Sequence, residues 1–292
     1  MTGTSGALKG RTAIVTGGSR GLGKVMAAAL LAEGASVVVT SSRNRAELDA
    51  TVAELDREAP GRVRGELANV GDWQACEHLV TATVEAFGGI DILINNAARG
   101  AYELAPDGRG RDIDFWEADP SVFGSMVTIN LAGPFFMTRA CIPHMRKAGY
   151  GRIVNISTSR PTMVLKGIGA YGASKAGLET LTRLWSEELA GSDITVNVLA
   201  PGGATDTAIL PGKVGERSDP NFKPGTDGGG EGRRGTFLPP WIMGPPAVWL
   251  ASPDSADWSG RRIIAANWNP DITPREAAER SATEPAGTPA IL

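Results

Sequence analysis

Residues 12–31 read TAIVTGGSRGLGKVMAAALL, and their order decides the fold. TAIVTG (12–17) is a short β-prone run that enters a glycine-rich turn, and an Ala/Leu-rich helical stretch follows. A brief, continuously apolar strand is what a sheet buried on both faces requires. The glycines fall at Gly17, Gly21 and Gly23, a G-x-x-x-G-x-G spacing. Gly17 permits a tight turn. Bare backbone at Gly21 and Gly23 can approach an anion at the helix N-terminus, where unpaired N–H groups and the helix dipole favour negative charge. Alone, the stretch is either a pyrophosphate cradle or a glycine turn without a ligand. Its place in the first strand–helix unit favours the cradle.

Similar units continue outward. Apolar runs recur at SVVVTS (36–41), RVRGELAN (62–69), DILINNA (91–97), GRIVNIST (151–158) and ITVNVLAP (194–201), with a seventh at GRRIIAA (260–266). Helical stretches separate them, so the chain reads as βαβ units around a parallel sheet. From about Pro270 the chain turns Ala/Pro/Glu-rich. That composition predicts a loosely ordered tail over 271–292.

Bulk composition narrows the function classes. The 292 residues are 42% hydrophobic and carry a formal charge of −3, which gives no basic footprint for nucleic acid. The apolar run near the start is interrupted by Glu33 and Gly34 and is too short to cross a bilayer. The first eleven residues lack the apolar stretch of a signal peptide. Cys76 and Cys141 lack metal-ligand spacing and read as small buried hydrophobes. No metal site and a cytoplasmic setting are expected.

YGASK (171–175) opens a further helix, whose apolar residues Ala176, Leu178, Leu181, Leu184 and Trp185 recur at helical spacing. Positions four apart share a helix face, so the Tyr171 phenol and the Lys175 ammonium converge. A phenol ordinarily titrates near about 10; an adjacent cation stabilises its anion and suits it to acid–base work.

A cradle of this kind holds a dinucleotide, and charge separates the two nicotinamide forms. NAD-binding folds place an acid at the end of the second strand, where it accepts the ribose 2′-hydroxyl. Here that strand ends in Ser41, Ser42 and Arg43, and Arg20 adds a second cation from the glycine loop. Hydroxyls and guanidinium groups suit a 2′-phosphate, so NADP is favoured, with NAD possible. Arg43 is otherwise a solvated residue before the next helix.

Six motifs in register now carry a family resemblance: TGGSRGLG, NNAA (95–98), Asn130 in INLAGPFF, GRIVNISTS, YGASK and PGGAT (201–205). Over residues 8–268 the chain resembles the short-chain dehydrogenase/reductases. The resemblance implies a single doubly wound, Rossmann-type α/β domain over 1–270 with an inserted substrate lid at about 206–243. It implies hydride exchange between a nicotinamide cofactor and a ketone or secondary alcohol, and assembly as a homotetramer or dimer. Carried onto this sequence, it makes Tyr171 the general acid/base, Lys175 its partner and Asn130 the holder of a relay water. Thr158, thirteen residues before Tyr171, falls where the family has serine, with Ser159 in reserve. The cofactor residues it implies are Gly17, Ser19, Arg20, Gly21, Leu22, Gly23, Ser41, Ser42, Arg43, Asn69, Val70, Asn96, Ala97, Ala98, Tyr171, Lys175, Pro201, Gly202 and Thr205. Asn69 replaces the family's aspartate, and Ala98 stands where NNAG has glycine.

The substrate side is less definite. Phe222, Phe237, Leu238, Trp241 and Met243 could close a lid over a ligand, with 212–235 either part of that lid or a disordered excursion. Tyr102, Phe115 and Trp116 in a second insertion (99–120) point to a bulky or cyclic substrate. Arg109, Arg111, Arg233 and Arg234 either meet a carboxylate or are solvated. His78 and His144 lie away from every motif. Two other functions compete: a cofactor-binding sensor without catalysis, and a nucleotide-sugar epimerase or dehydratase. Against the latter it counts that such enzymes usually need a longer C-terminal substrate domain than the about ninety residues that follow Pro201.

Overall fold

Each apolar run becomes a strand in the computed structural model, which describes residues 6–104, 113–207, 216, 218–219, 221–225 and 233–283. The strands are β1 (Thr12–Val15), β2 (Ser36–Ser41), β3 (Val63–Leu67), β4 (Ile92–Asn95), β5 (Gly151–Ile156), β6 (Ile194–Ala200), β7 (Gly203–Thr205), β8 (Arg233–Leu238), β9 (Arg262–Ile264) and β10 (Ala282–Thr283). The helices are α1 (Gly21–Ala32), α2 (Arg45–Glu58), α3 (Trp73–Phe87), α4 (Pro120–Val127), α5 (Gly133–Ala148), α6 (Arg160–Met163), α7 (Gly169–Glu188), α8 (Gly244–Ala251) and α9 (Pro274–Ser281).

Eight strands form one sheet in the order β10-β9-β6-β5-β4-β1-β2-β3. Every pairing is parallel except β10 on β9. β1, β4, β5 and β6 are buried along their whole length, as strands covered on both faces must be. One face packs Met26 and Leu30 of α1 with Trp249 and Leu250 of α8. The other packs Leu79 of α3, Met137 and Cys141 of α5 and Trp185 of α7. This is the doubly wound, Rossmann-type arrangement. The chain leaves β1 toward β2 and β3, then crosses back to β4 on β1's other side, which opens a crevice at the carboxyl ends of β1 and β4.

Local chemistry sets the helix starts. Asn44 and Asp72 accept the amides of Glu47 and Ala75 at 3.1 and 3.2 Å, capping α2 and α3. Both cysteines are buried free thiols; burial raises their pKa values, that of Cys76 to about 12, and leaves them unreactive. Residues 120–148 form a continuous helical run of 29 residues that contains an 18-residue window of mean hydropathy 1.2, enough by length and composition to span a bilayer. Its Met126, Met137, Cys141 and Met145 are fully buried in the protein core, so it serves here as a sheet-flanking helix.

Two expectations need correction. The tail does not lie loose from residue 271: Thr273 caps α9 by accepting the Glu276 amide at 3.3 Å. Ala277 and Ala278 are fully buried with α8, and β10 joins the sheet. Two small side chains suffice to anchor a segment whose average composition is polar. Residues 284–292 lie outside the described ones. In the lid segment, Phe222, Leu238 and Met243 bury into the α1/α8 core, while Trp241 is exposed and Phe237 half-buried. The 3-10 turn Pro240–Met243 thus serves as a core wall. Most of 208–232, together with Arg109 and Arg111, falls outside the described residues.

Candidate active site

The glycine loop forms the floor of the crevice. Gly17 has φ +62°, and a Cβ there would lie 3.0 Å from the Ala97 Cα. At Gly23 a Cβ would come within 2.5 Å of both the Asn96 amide nitrogen and the Gly17 carbonyl. Asn96 therefore holds the loop in shape: its Nδ2 donates to the carbonyls of Thr16 and Gly17 at 2.8 and 3.1 Å. α1 starts at Gly21 with no side-chain cap and no acid in its first turn. Its leading amides are thus open to an anion, and the cradle fits a dinucleotide pyrophosphate.

The other expected cofactor residues lie at the carboxyl ends of the strands. Ala97 and Ala98 follow β4, and buried Pro201 and Gly202 follow β6. Half-buried Leu22 sits in α1, and buried Thr205 ends β7, donating to the Gly203 carbonyl at 3.3 Å. After β3, exposed Asn69 accepts the Gly71 amide at 3.1 Å and Val70 is buried. Ser41 accepts the Asn44 amide at 3.3 Å, while Ser42 and Arg43 are exposed at the end of β2.

One residue here escaped the sequence reading. Glu47 of α2 accepts the Ser19 hydroxyl at 2.7 Å and pairs with Arg20 at 3.3 Å. An acid in the first turn of a helix ordinarily serves the dipole, so nothing in the sequence marked it.

Across the crevice stands α7. Its start is pressed onto α6 so closely that a Cβ at Gly172 would lie 2.0 Å from the Met163 carbonyl. The residues on either side of that glycine, Tyr171 and Lys175, are the expected pair. The Tyr171 side chain hydrogen-bonds that of Thr158, just beyond β5. Ser159 turns away to Thr162, oxygen to oxygen 2.7 Å, so Thr158 is the hydroxyl at the tyrosine. Lys175 is buried, its Nζ donates to the Ile156 carbonyl at 2.7 Å and lies 6.0 Å from the Tyr171 ring centroid. Asn130 occupies a π-helical turn, Thr128–Ala132, between α4 and α5, a local distortion frequent at functional sites. Fully buried, it accepts the Arg99 amide at 2.8 Å and donates to Ser174 Oγ at 3.3 Å.

Burial raises the Tyr171 pKa above the ordinary phenol value, and the Thr158 hydrogen bond opposes it. Burial also lowers Lys175 to about 8, opposed by Glu179 one turn further along. Beside Tyr171, Leu104, Ile113, Ala118 and Gly169 line a cleft, with a Lys166–Asp114 ion pair of 3.0 Å at its edge. Phe115 lines the rim of this cleft although largely exposed, and exposed Trp116 stacks on it edge to face at 5.1 Å without lining the cleft itself. Among the described residues no His/Cys/Asp/Glu cluster could hold a metal.

The sequence profile described as short chain dehydrogenase matches residues 11–216. The chain is a short-chain dehydrogenase/reductase. A 3-oxoacyl-[acyl-carrier-protein] reductase of Synechocystis sp. is 36% identical to this family member over 196 residues, 67% of this chain and 75% of that protein. A short-chain type dehydrogenase/reductase of Picea abies is 29% identical over 265 residues, 89% and 92% of the two chains. Among solved structures, a dehydrogenase/reductase of Sinorhizobium meliloti superposes with TM-score 0.74 at 32% identity, covering 90% of this chain and 98% of that one. A short chain dehydrogenase of Burkholderia cenocepacia, solved with NADP, gives 0.72 at 26% identity, covering 88% and 97%. This dehydrogenase/reductase is accordingly an NAD(P)-dependent oxidoreductase.

Proposed function

We propose that this oxidoreductase moves hydride between NADP and a ketone or secondary alcohol, with Tyr171 exchanging the proton on the substrate oxygen. The observation that carries the reading is the Tyr171–Thr158 side-chain bond, with Lys175 one helical turn away. A hydroxyl both donates and accepts, so Thr158 can hold a substrate oxygen while Tyr171 supplies or removes its proton. Lys175 stabilises the phenolate that remains. Asn130, anchored on Arg99 and Ser174, fixes the turn beside them.

The Gly17–Gly23 loop, Asn69–Val70, Ala97–Ala98, Pro201–Gly202 and Thr205 would hold the dinucleotide, whose nicotinamide supplies or accepts the hydride. Ser41, Ser42 and Arg43 favour a 2′-phosphate, and the Burkholderia neighbour binds NADP. Glu47 works against it: Ser19 and Arg20 must leave that carboxylate to meet a phosphate.

Exposed Phe123, Phe135 and Leu184 on α4, α5 and α7 support pairing of subunits through that face, checked by molar mass in dilute solution. Free buried cysteines suit the cytoplasm. The deciding experiment follows reduced-nicotinamide absorbance over a panel of ketones and alcohols. Turnover that disappears in Tyr171→Phe while NADP still binds supports the reading. Binding without turnover across the panel overturns it in favour of a sensor.

A further inference from the structure

Behind the proposed acid–base pair lies a buried ion pair that packing alone does not require. α7 presents Tyr171, Lys175 and Glu179 at successive turns of one face. Each meets one of three consecutive residues at the exit of β5. Tyr171 bonds the Thr158 side chain, Lys175 donates to the Ile156 carbonyl at 2.7 Å, and Glu179 accepts the Ser157 hydroxyl at 2.5 Å. Arg262 closes the cluster from β9. Its Nε donates to the same Glu179 oxygen at 2.9 Å, and its Nη2 to the Thr158 carbonyl at 2.7 Å.

Arg262 is fully buried and Glu179 7% exposed. An apolar pair of similar volume would fill such a place with equal or better stability. The cluster's charges have a consequence of their own. Lys175 and Arg262 against Glu179 leave one positive charge, and an ionised Tyr171 would cancel it.

We propose that the Glu179–Arg262 pair is a positioning device, pinning the Thr158 backbone and setting the charge that Lys175 and Tyr171 face. It rests on those two being the acid–base pair. Around Lys175, its own helix contributes Tyr171 and Glu179, and β9 contributes Arg262 through Glu179. The β5 exit contributes the Ile156 carbonyl and the hydroxyls of Ser157 and Thr158. The π turn, reaching Ser174 beside it, brings the neutral Asn130 amide.

The two halves of the device act with opposite sign. Without Glu179, two buried cations stand unbalanced and Lys175 releases its proton more readily. Without Arg262, Glu179 serves Lys175 alone and the lysine holds its proton more firmly. Loss of packing predicts no such opposition.

The test is an NMR titration of Lys175 in the full chain carrying carbon-13 lysine, the signal assigned by its loss in Lys175→Arg. The midpoint is expected to fall by about one pH unit or more in Glu179→Gln and to rise in Arg262→Met. Should a single variant fail to fold, the double variant Glu179→Gln/Arg262→Met removes both members of the pair, so neither is left buried without the other. There the midpoint is expected below wild type, because Lys175 has lost its adjacent anion. A double-variant midpoint within about 0.3 of wild type, or single variants shifting in the same direction, overturns the proposal. Expected shifts in a chain that turns over no carbonyl with reduced NADP would support the electrostatic device and sink the functional reading instead.

Discussion

β5 has a tyrosine near each end, and the two differ instructively. Tyr150, just before the strand, has Arg11 3.6 Å and Arg152 4.2 Å from its ring centroid. Tyr171, beyond the strand's exit, has a lysine 6.0 Å from its ring. Burial raises both phenols, and at Tyr150 the two arginines oppose it. By cations alone Tyr150 would be the better acid. Yet its hydroxyl donates to the Ala251 carbonyl at 2.7 Å inside the core, and a carbonyl cannot return a proton. Tyr171 bonds a hydroxyl beside a cleft. Proximity of positive charge does not make a catalyst; an exchangeable partner and access do.

The strongest way to break this comparison is to remove each phenol. Tyr171→Phe is expected to lower turnover by about 10²–10⁴-fold with cofactor binding retained. Tyr150→Phe is expected to leave turnover within about twofold and to cost about 1 kcal/mol in urea unfolding. Lys175 sharpens the contrast through pH. Its folded-state value of about 8 lies below its ordinary value. Below pH 8 both states carry the proton; from there to about 10.4 the unfolded chain holds a proton that the folded chain has released. Stability contributed by this group therefore rises with pH across that window, by at most about 3 kcal/mol. Lys175→Met should remove the rise.

Gly172→Ala attacks the platform under Tyr171. With the Met163 carbonyl in the way, it should cost about 1–3 kcal/mol in unfolding measurements and lower kcat. Thr158→Val deletes the exchangeable hydroxyl at nearly constant volume. A loss of about tenfold or more in kcat is expected, with Thr158→Ser close to wild type. The smallest effect belongs to Glu47→Gln: freeing Ser19 and Arg20 should tighten NADP binding a few-fold while NAD changes little, read by fluorescence titration.

Much of this was legible in the sequence because buried parallel strands leave uniform apolar runs and glycines mark the cradle. Tyr171 and Lys175 stood out because their spacing places them on one helix face. Other parts left no such trace. Gly203–Thr205 is too short to show alternation, so β7 was invisible. Thr273 and Pro274 are a helix start, but the polar composition around them outweighed it. Glu179 is a charge on an amphipathic helix and Arg262 a charge inside an apolar run, and only tertiary contact shows that the two are buried against each other. Glu47 was hidden for the same reason. Chain order says which element carries a charge, not which other charge it meets.

β10 covers the outer side of β9, the strand that carries Arg262. Trimming the chain before residue 274 would leave that backbone as a bare ladder of donors and acceptors, ready to recruit a strand from another molecule. Such a truncated protein would tend toward aggregates, and the first local damage would reach the arginine beneath the tyrosine proposed as the acid–base.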